Sequence, residues 1–455
     1  MDVSGTDQGD AEAILRRAIT DPDSFDAQGV SRMLDLFESR DKTVRLSASW
    51  ALGLVVSVTP KAVAGSVRAL AALLESEPES RHDEIIRALG YVESEYPELV
   101  REAIEELDLD DDGAEKRIIS AFERFEPSGE GNVTMTSGPA TEYEGLGAVA
   151  PSPEPTETPT TSEAPQRGHP PREPPPTPPA IDARRGAFEP VASEGAGSHV
   201  KLWQVTYEAG HDTYTALLKQ LRHQAPSAFD AEFTETLTGW QSIDDHDAIV
   251  PVVAHGTIPQ PWFVVEFQEG RRLSERLDEV SRREARWIAD RIVDAVCHAH
   301  GAGVTHGGLT PRNVIFSRTY EDGAWAYPKV SNWGISRLLC QLTALPMGVP
   351  PRYAAPEQAA PDQYGGVDAA TDVYHLGLIV YELLAGRLPF EDHPGVALRK
   401  AATEQPPPVS QFADDLPEAV DTVLAKALRK SKLYRYSTVR DFQTELRGAL
   451  GRGSA

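Results

Sequence analysis

The fold is decided by His306-Gly307-Gly308-Leu309-Thr310-Pro311-Arg312-Asn313 and by three strings located after it in order. Ser331-Asn332-Trp333-Gly334 comes first, then Ala355-Pro356-Glu357. The last is Thr371-Asp372-Val373-Tyr374-His375-Leu376-Gly377, running on to Tyr381-Glu382-Leu383-Leu384-Ala385-Gly386-Arg387-Leu388-Pro389-Phe390. Just upstream of the first string, Trp287, Ile288, Ile292, Val296 and Ala299 recur at three- and four-residue spacing, which predicts an amphipathic helix. Further upstream the pattern is strand-like, at His199-Val200-Lys201-Leu202-Trp203-Gln204-Val205, Ile249-Val250-Pro251-Val252-Val253 and Trp262-Phe263-Val264-Val265-Glu266-Phe267. Strands succeeded by helices beyond Ser281 predict an α+β domain with segregated elements.

By order and spacing these strings resemble the eukaryotic-type Ser/Thr protein kinase family, and the resemblance covers nearly all of residues 186–450. It implies a bilobal domain, with a small lobe over about 186–268 and a large lobe over about 269–450. The first string resembles the catalytic loop, the second the metal-binding loop, the third the end of the activation segment, and the last the large-lobe core helix. Arg435, in Arg435-Tyr436-Ser437, matches the late arginine expected to pair with Glu357. His306, Glu357, Asp372 and Arg435 are implied to hold the large lobe together, so they speak for the fold and not for catalysis. ATP and Mg²⁺ are the implied cofactors.

In the small lobe, Gly195-Ala196-Gly197-Ser198-His199-Val200 resembles a worn glycine-rich loop, with Val200 roofing an adenine; a flexible entry from the preceding segment is the plain alternative. Thr215-Ala216-Leu217-Leu218-Lys219 resembles the strand that carries the phosphate-pairing lysine, with one residue too many between Ala216 and Lys219. Lys219 is the candidate, against a solvated surface lysine, and Lys201 is a poorer one. Its glutamate partner is sought in Phe233-Thr234-Glu235-Thr236: Glu235 is nearest, although family spacing lands on Thr236. Glu266-Phe267 would be the hinge whose backbone pairs with adenine.

The same alignment exposes several missing groups. In active family members a catalytic-loop aspartate orients the acceptor hydroxyl; the matching residue is Gly308, and loss of a positioned base costs roughly 10²- to 10⁴-fold. A second aspartate holds Mg²⁺; here it is Asn332, whose neutral amide suits a hard cation poorly. Asn313, the other metal-side ligand, is kept. The lysine two residues after the base reads Thr310, and the threonine before Ala355-Pro356-Glu357 reads Val349, with Pro350-Pro351 adding one residue. Phosphotransfer is therefore expected to be absent or very weak. Trp333 stands for the usual phenylalanine and is expected to pack in the core, as is Cys297.

Away from this domain, composition sets the organisation. The 455 residues exceed one ordinary core, and 70 acidic against 44 basic side chains leave a net charge of −26. That charge repels nucleic acid and anionic membrane. It suits a halophile's high salt, where the screening length falls to about 3 Å at 1 M. Two cysteines, Cys297 and Cys340, form neither a disulfide framework nor a zinc cluster. The polar start is no signal peptide, and Leu52 to Leu74 is interrupted by Pro60, Lys61 and Arg68, so a cytoplasmic protein without a membrane span is expected.

Residues 127–185 read as a disordered Pro-rich linker, with twelve prolines between Pro151 and Pro179. Residues 1–126 read as an all-α, HEAT-like helical repeat domain that binds protein. Leu36-Phe37-Glu38-Ser39 recurs as Leu73-Leu74-Glu75-Ser76, Ala51-Leu52-Gly53 as Ala88-Leu89-Gly90, and Pro60 as Pro97, each at an offset of 37. A small bundle of two similar hairpins is the alternative. Three functional readings remain open at this point: a pseudokinase that senses nucleotide or scaffolds signalling, a weakly active Ser/Thr kinase using Asn313 and Asn332, and a pure scaffold that binds no nucleotide.

Overall fold

The computed structural model describes residues 4–78, 81–96, 99–100, 103, 168–196, 200–221, 227–318, 321–338, 349–390, 394–413 and 416–451. They form two units, Met1–Thr134 with Val296–Pro311 and Asn332–Ala455, and Met135–Ala295 with Arg312–Ser331.

Among the described residues the first unit opens with α1 (Ser4–Thr20), α2 (Ala27–Asp35), α3 (Lys42–Val58), α4 (Val63–Ser76) and α5 (His82–Glu95). Asp26 caps α2 by accepting from Gly29 N at 2.9 Å, and a 3₁₀ turn, Leu36–Glu38, ends it. An offset of 37 carries α2 and its turn onto α4, and α3 onto α5, so the repeated strings mark two equivalent helical hairpins. Ala51 and Leu52 in α3 and Ala88 and Leu89 in α5 are all buried. Between these two helices Arg45 Nε meets Glu84 Oε2 at 3.0 Å, both side chains buried, and Arg45 Nη1 also donates to Ser39 O. Pro97 and the expected repeat units beyond 103 lie outside the described residues.

The second unit is built on a five-stranded antiparallel sheet of order β1-β2-β3-β5-β4: β1 (Glu189–Ala196), β2 (Val200–Ala209), β3 (Asp212–Leu221), β4 (Val252–Gly256) and β5 (Trp262–Glu266). Lys219 stands opposite Leu202 on β2 and Phe263 on β5. Strand alternation then puts Val200, Leu202, Leu217, Lys219, Phe263 and Val265 on one face, and Val205, Tyr207, Ala216, Leu218, Trp262 and Val264 on the other. Helix α6 (Ser227–Gln241) covers the Lys219 face, with Phe233 and Trp240 6.2 and 6.0 Å from the Phe263 ring. The strand expected from Ile249 begins at Val252; Ile249 and Val250 instead bridge to Val330.

The other face corrects the linker boundary. Residues 168–184, read as part of a disordered linker over 127–185, lie as an extended strap against this unit. Trp325 N donates to His169 O at 2.8 Å, Tyr207 Oη to Pro179 O at 2.9 Å, and Ile181 N to Val253 O at 2.9 Å, the last closing the exposed edge of β4. Ile181 and Ala183 pack on the sheet, and Phe188 is buried between Tyr207 and Trp262 at 5.8 and 5.7 Å. Proline carries no N–H, but its carbonyls accept, so a Pro-rich strand docks wherever donors and an apolar face await it. Residues 127–167 lie outside the described set.

Helix α7 (Arg282–Gly301) buries Ile288, Ile292, Val296 and Ala299, leaving Trp287 half-exposed. A hairpin of β6 (Val314–Ser317) and β7 (Tyr327–Val330) comes next in the second unit. Helix α8 (Ala369–Ala385) is mostly apolar and buried on all sides from Thr371 to Leu384. Asp368 caps its start, and Gly386, at φ 73°, supplies the left-handed residue that ends it. Among the described residues the first unit also holds α9 (Pro394–Thr403), α10 (Glu418–Ala427) and α11 (Val439–Gly451).

Sequence division at the linker separates the N-terminal helices from residues 269–450, whereas the contacts join them. Leu398 and Ala402 of α9, with Val349, Ala354 and Ala359, share one apolar cluster with the buried residues of α1 to α5, and α1 and α3 pack on α9. Apolar faces on both partners explain this, since each would otherwise face water.

Candidate functional site

In the second unit two of the candidate nucleotide-binding residues, Val200 and Lys219, share one face of the sheet. Lys219 is buried on β3, not a surface lysine, and its Nζ lies 5.5 Å from the centre of the Phe263 ring. Burial, helped by the charge of Arg272, pushes its pKa down to about 7. Val200 is buried on the same face. Lys201 is exposed and drops out. The extra residue counted before Lys219 is no obstacle, because strand register alone fixes which face a side chain takes.

Glu235 requires correction as the lysine's partner. It is exposed on α6, where Phe229, Phe233 and Leu237 form the buried stripe; two residues from Phe233 is about 200° round a helix, away from the sheet. Thr236 is half-buried. Gly195 sits within β1 opposite Leu202, not in a loop, and Gly197 lies outside the described residues.

Glu266 ends β5 with its side chain on the face away from Lys219. There it meets Lys329 Nζ at 2.7 Å and Gln268 Nε2 at 2.5 Å, with Glu266 and Lys329 both buried. Burial pushes the Glu266 carboxyl up against the opposing pull of Lys329. The carboxylate is thus a structural pin, which leaves only the strand backbone for a ligand. No signal in the sequence marks Lys329 for this role. Asn313 is buried in a 3₁₀ turn ahead of β6, its carbonyl accepting from Ser331 N at 2.8 Å.

In the first unit, the loop 306–310 is organised by Asp372 at the start of α8. Its carboxylate accepts from His306 N, Gly307 N and His300 Nε2, each at 2.8 Å. Complete burial pushes this carboxyl up, but the His300 hydrogen bond and the neighbouring imidazoles outweigh that and hold it below the ordinary range. Gly307 adopts φ 70°, the left-handed region open to glycine. Gln358 Nε2 donates to Gly307 O at 3.3 Å and its Oε1 accepts from Ala355 N at 2.9 Å. Trp333 is buried with its ring 5.1 Å from that of His306. His300 and Gln358 are not legible in the sequence as part of this framework; only the fold brings them to the loop.

Glu357 and Arg435 form a buried bidentate pair, with both Nη to Oε distances at 2.7 Å, and Thr371 Oγ1 donates to Glu357 as well. Asn332 is buried at φ 67°, a conformation that Asn and Asp adopt more readily than other side chains. An asparagine here keeps a backbone shape open to aspartate too, but lacks the charge and has a donor NH2 in place of one acceptor oxygen. Thr310 is buried. Gly308 has no room to be anything else: a Cβ there would lie 2.7 Å from Ser336 Cβ and Oγ and 3.3 Å from Val349 Cγ1. Among the described residues no three His, Cys, Asp or Glu side chains gather as a metal site. None of their helices is long and apolar enough to cross a membrane.

Comparison with known proteins adds the lineage. A family model described as protein kinase domain matches residues 195–445. Similar curated proteins include serine/threonine-protein kinase Pkn1 of Myxococcus xanthus, 32% identical over 213 residues, covering 45% of this chain and 30% of that protein. Serine/threonine-protein kinase PknB of Mycolicibacterium smegmatis is 33% identical over 219 residues, covering 44% of this chain and 33% of that protein. The chain therefore spans about a third of the length of these relatives. The solved kinase domain of Mycobacterium tuberculosis PknI is similar at 21% identity and a TM-score of 0.44, covering 59% of this chain and 97% of that one.

Proposed function

The chain belongs to the protein kinase family, and from that premise we propose that its C-terminal domain is a nucleotide-binding regulator with little or no phosphotransfer. In this reading the HEAT-like helices present the complex to a protein partner. The observation that carries it is Gly308. The residue in the position of the acceptor-orienting carboxylate has no side chain, and Ser336 fills the space a side chain would need.

Nucleotide binding rests on different residues. Lys219, buried with its pKa lowered to about 7, is the candidate phosphate partner, and the backbone after β5 is the candidate for an adenine edge. Mg²⁺ fits less well. Asn313 and Asn332 bring amide oxygens without charge, and a hard divalent cation prefers carboxylate. The proposed role accordingly requires nucleotide without a tightly protein-held metal.

Proteins similar to this chain are named serine/threonine-protein kinases. That supports the rival reading of a weakly active kinase, while a scaffold that binds no nucleotide is the third. Two measurements on the full chain in high KCl separate them. A thermal shift with millimolar ATP, with and without Mg²⁺, is expected, and its absence refutes the nucleotide-binding role. Transfer of γ-labelled phosphate to the protein or to a generic substrate is expected at background; transfer abolished by Asn332→Ala overturns the reading in favour of the kinase.

A further inference from the structure

Gly308 also constrains the short segment just beyond the 331–334 loop. Residues 335–338 form a helical turn, closed by Ile335 N to Asn332 O at 3.2 Å and Leu338 N to Gly334 O at 3.4 Å. Ser336 of this turn is half-buried, with Ile335 and Leu338 buried to either side. A Cβ at Gly308 would lie 2.7 Å from Ser336, and Val349 Cγ1 would lie 3.3 Å from the same Cβ, so residues on both flanks of 337–348 come to this glycine. Real Cβ atoms essentially never approach another heavy atom at 2.7 Å, and the atom met includes Ser336 Cβ, which cannot swing away as a side-chain tip can.

We propose that Gly308 is a seat for the 335–338 turn, so that the loss of the carboxylate and the docking of this turn are one matched change that holds the loop in an acceptor-excluding arrangement. The inference rests on the reading of this site as non-catalytic, and gives the glycine a positive task within it. The backbone at Gly308 is not left-handed, so space, not φ, is what demands glycine here. A side chain at 308 must expel Ser336, and with it the turn. Removing the Ser336 side chain must make a side chain at 308 tolerable. The two positions are therefore coupled, as residues in direct contact are.

The test uses the full chain and hydrogen exchange of the peptide containing 331–338. Gly308→Ala is expected to speed exchange there at least tenfold, although alanine otherwise favours folding by restricting the unfolded chain. In a Ser336→Gly background the same Gly308→Ala change is expected to alter exchange by less than twofold. Exchange unchanged by Gly308→Ala alone, or equally accelerated in both backgrounds, overturns the proposal. Where Gly308→Ala alone does not yield folded protein, the Gly308→Ala/Ser336→Gly variant decides. Recovery of a cooperative melt supports the seat, and continued failure to fold refutes it. ATP-induced thermal shift of the unmodified protein is measured separately, so failure of nucleotide binding is distinguishable from failure of this coupling.

Discussion

Replacing Arg435 by methionine removes five hydrogen bonds at once. Nε donates to Arg429 O at 2.7 Å, Nη1 to Glu357 Oε1 at 2.7 Å and Ala370 O at 2.9 Å, and Nη2 to Glu357 Oε2 at 2.7 Å and Lys430 O at 3.0 Å. That is the whole donor inventory of a guanidinium, directed at one carboxylate and three carbonyls in a site without water access. One-sided removal leaves the Glu357 carboxylate buried with Thr371 and its own backbone N–H but no counter-charge from Arg435, at a cost of about 3–5 kcal/mol. Arg435→Lys restores at most three donors and no fork, so it recovers only part of that. The double change Glu357→Met/Arg435→Met leaves no buried charge and should be more stable than Arg435→Met alone. The assay is urea denaturation of the full chain in high KCl, with hydrogen exchange of α8 to place the loss in the large lobe. An Arg435→Met loss below about 1 kcal/mol, or a double variant less stable than the single, would refute the reasoning. Sign is set by the carboxyl: burial pushes Glu357 up, but Arg435 and Thr371 hold it below the ordinary range. The pair's contribution is thus complete above the unfolded pKa of about 4.3 and lost as pH falls through the lower folded value.

Lys219 predicts a pH dependence of nucleotide binding. With its pKa near 7 and a phosphate requiring the cation, ATP affinity should fall about tenfold per pH unit above 7, and Lys219→Met should flatten that slope; a flat titration of the unmodified protein would exclude Lys219 as the phosphate partner. Gly308→Asp with Asn332→Asp should leave γ-phosphate transfer at background while Ser336 is present, and adding Ser336→Gly should raise it by at least about 10²-fold. Transfer restored equally without the Ser336 change would contradict the geometry. Asp372→Asn turns one acceptor oxygen into a donor facing an N–H, so the 306–307 amides should exchange faster and stability fall by about 2–4 kcal/mol. Unaltered exchange at those amides would remove Asp372 from the loop's framework. Phe188→Ala empties the space between Tyr207 and Trp262 and should cost about 3–5 kcal/mol, exposing 168–184 to protease; a strap that stays protected would show it is held elsewhere.

The kinase-like α+β fold is legible because its signals are local: ordered polar strings, a 3.6-residue apolar stripe from Trp287 to Ala299, alternation in β2 and a short apolar run in β5. Absence is equally legible, since Gly308 and Asn332 lack a carboxylate whatever surrounds them. Glu235 misleads because spacing along a helix says nothing of rotation until Phe229, Phe233 and Leu237 are seen to take the sheet. Composition assigns 168–184 to a linker, since a prolyl segment has no periodicity by which to show that Tyr207 and Val253 await its backbone. Lys329, His300 and Gln358 carry no motif at all. Each acts on a group dozens of residues away, and only chain closure decides which polar atoms meet. The same holds for the contact between Gly308 and Ser336. Sequence tells that a side chain is missing, and the fold tells what stands in its place, because packing excludes volume through space and not along the chain.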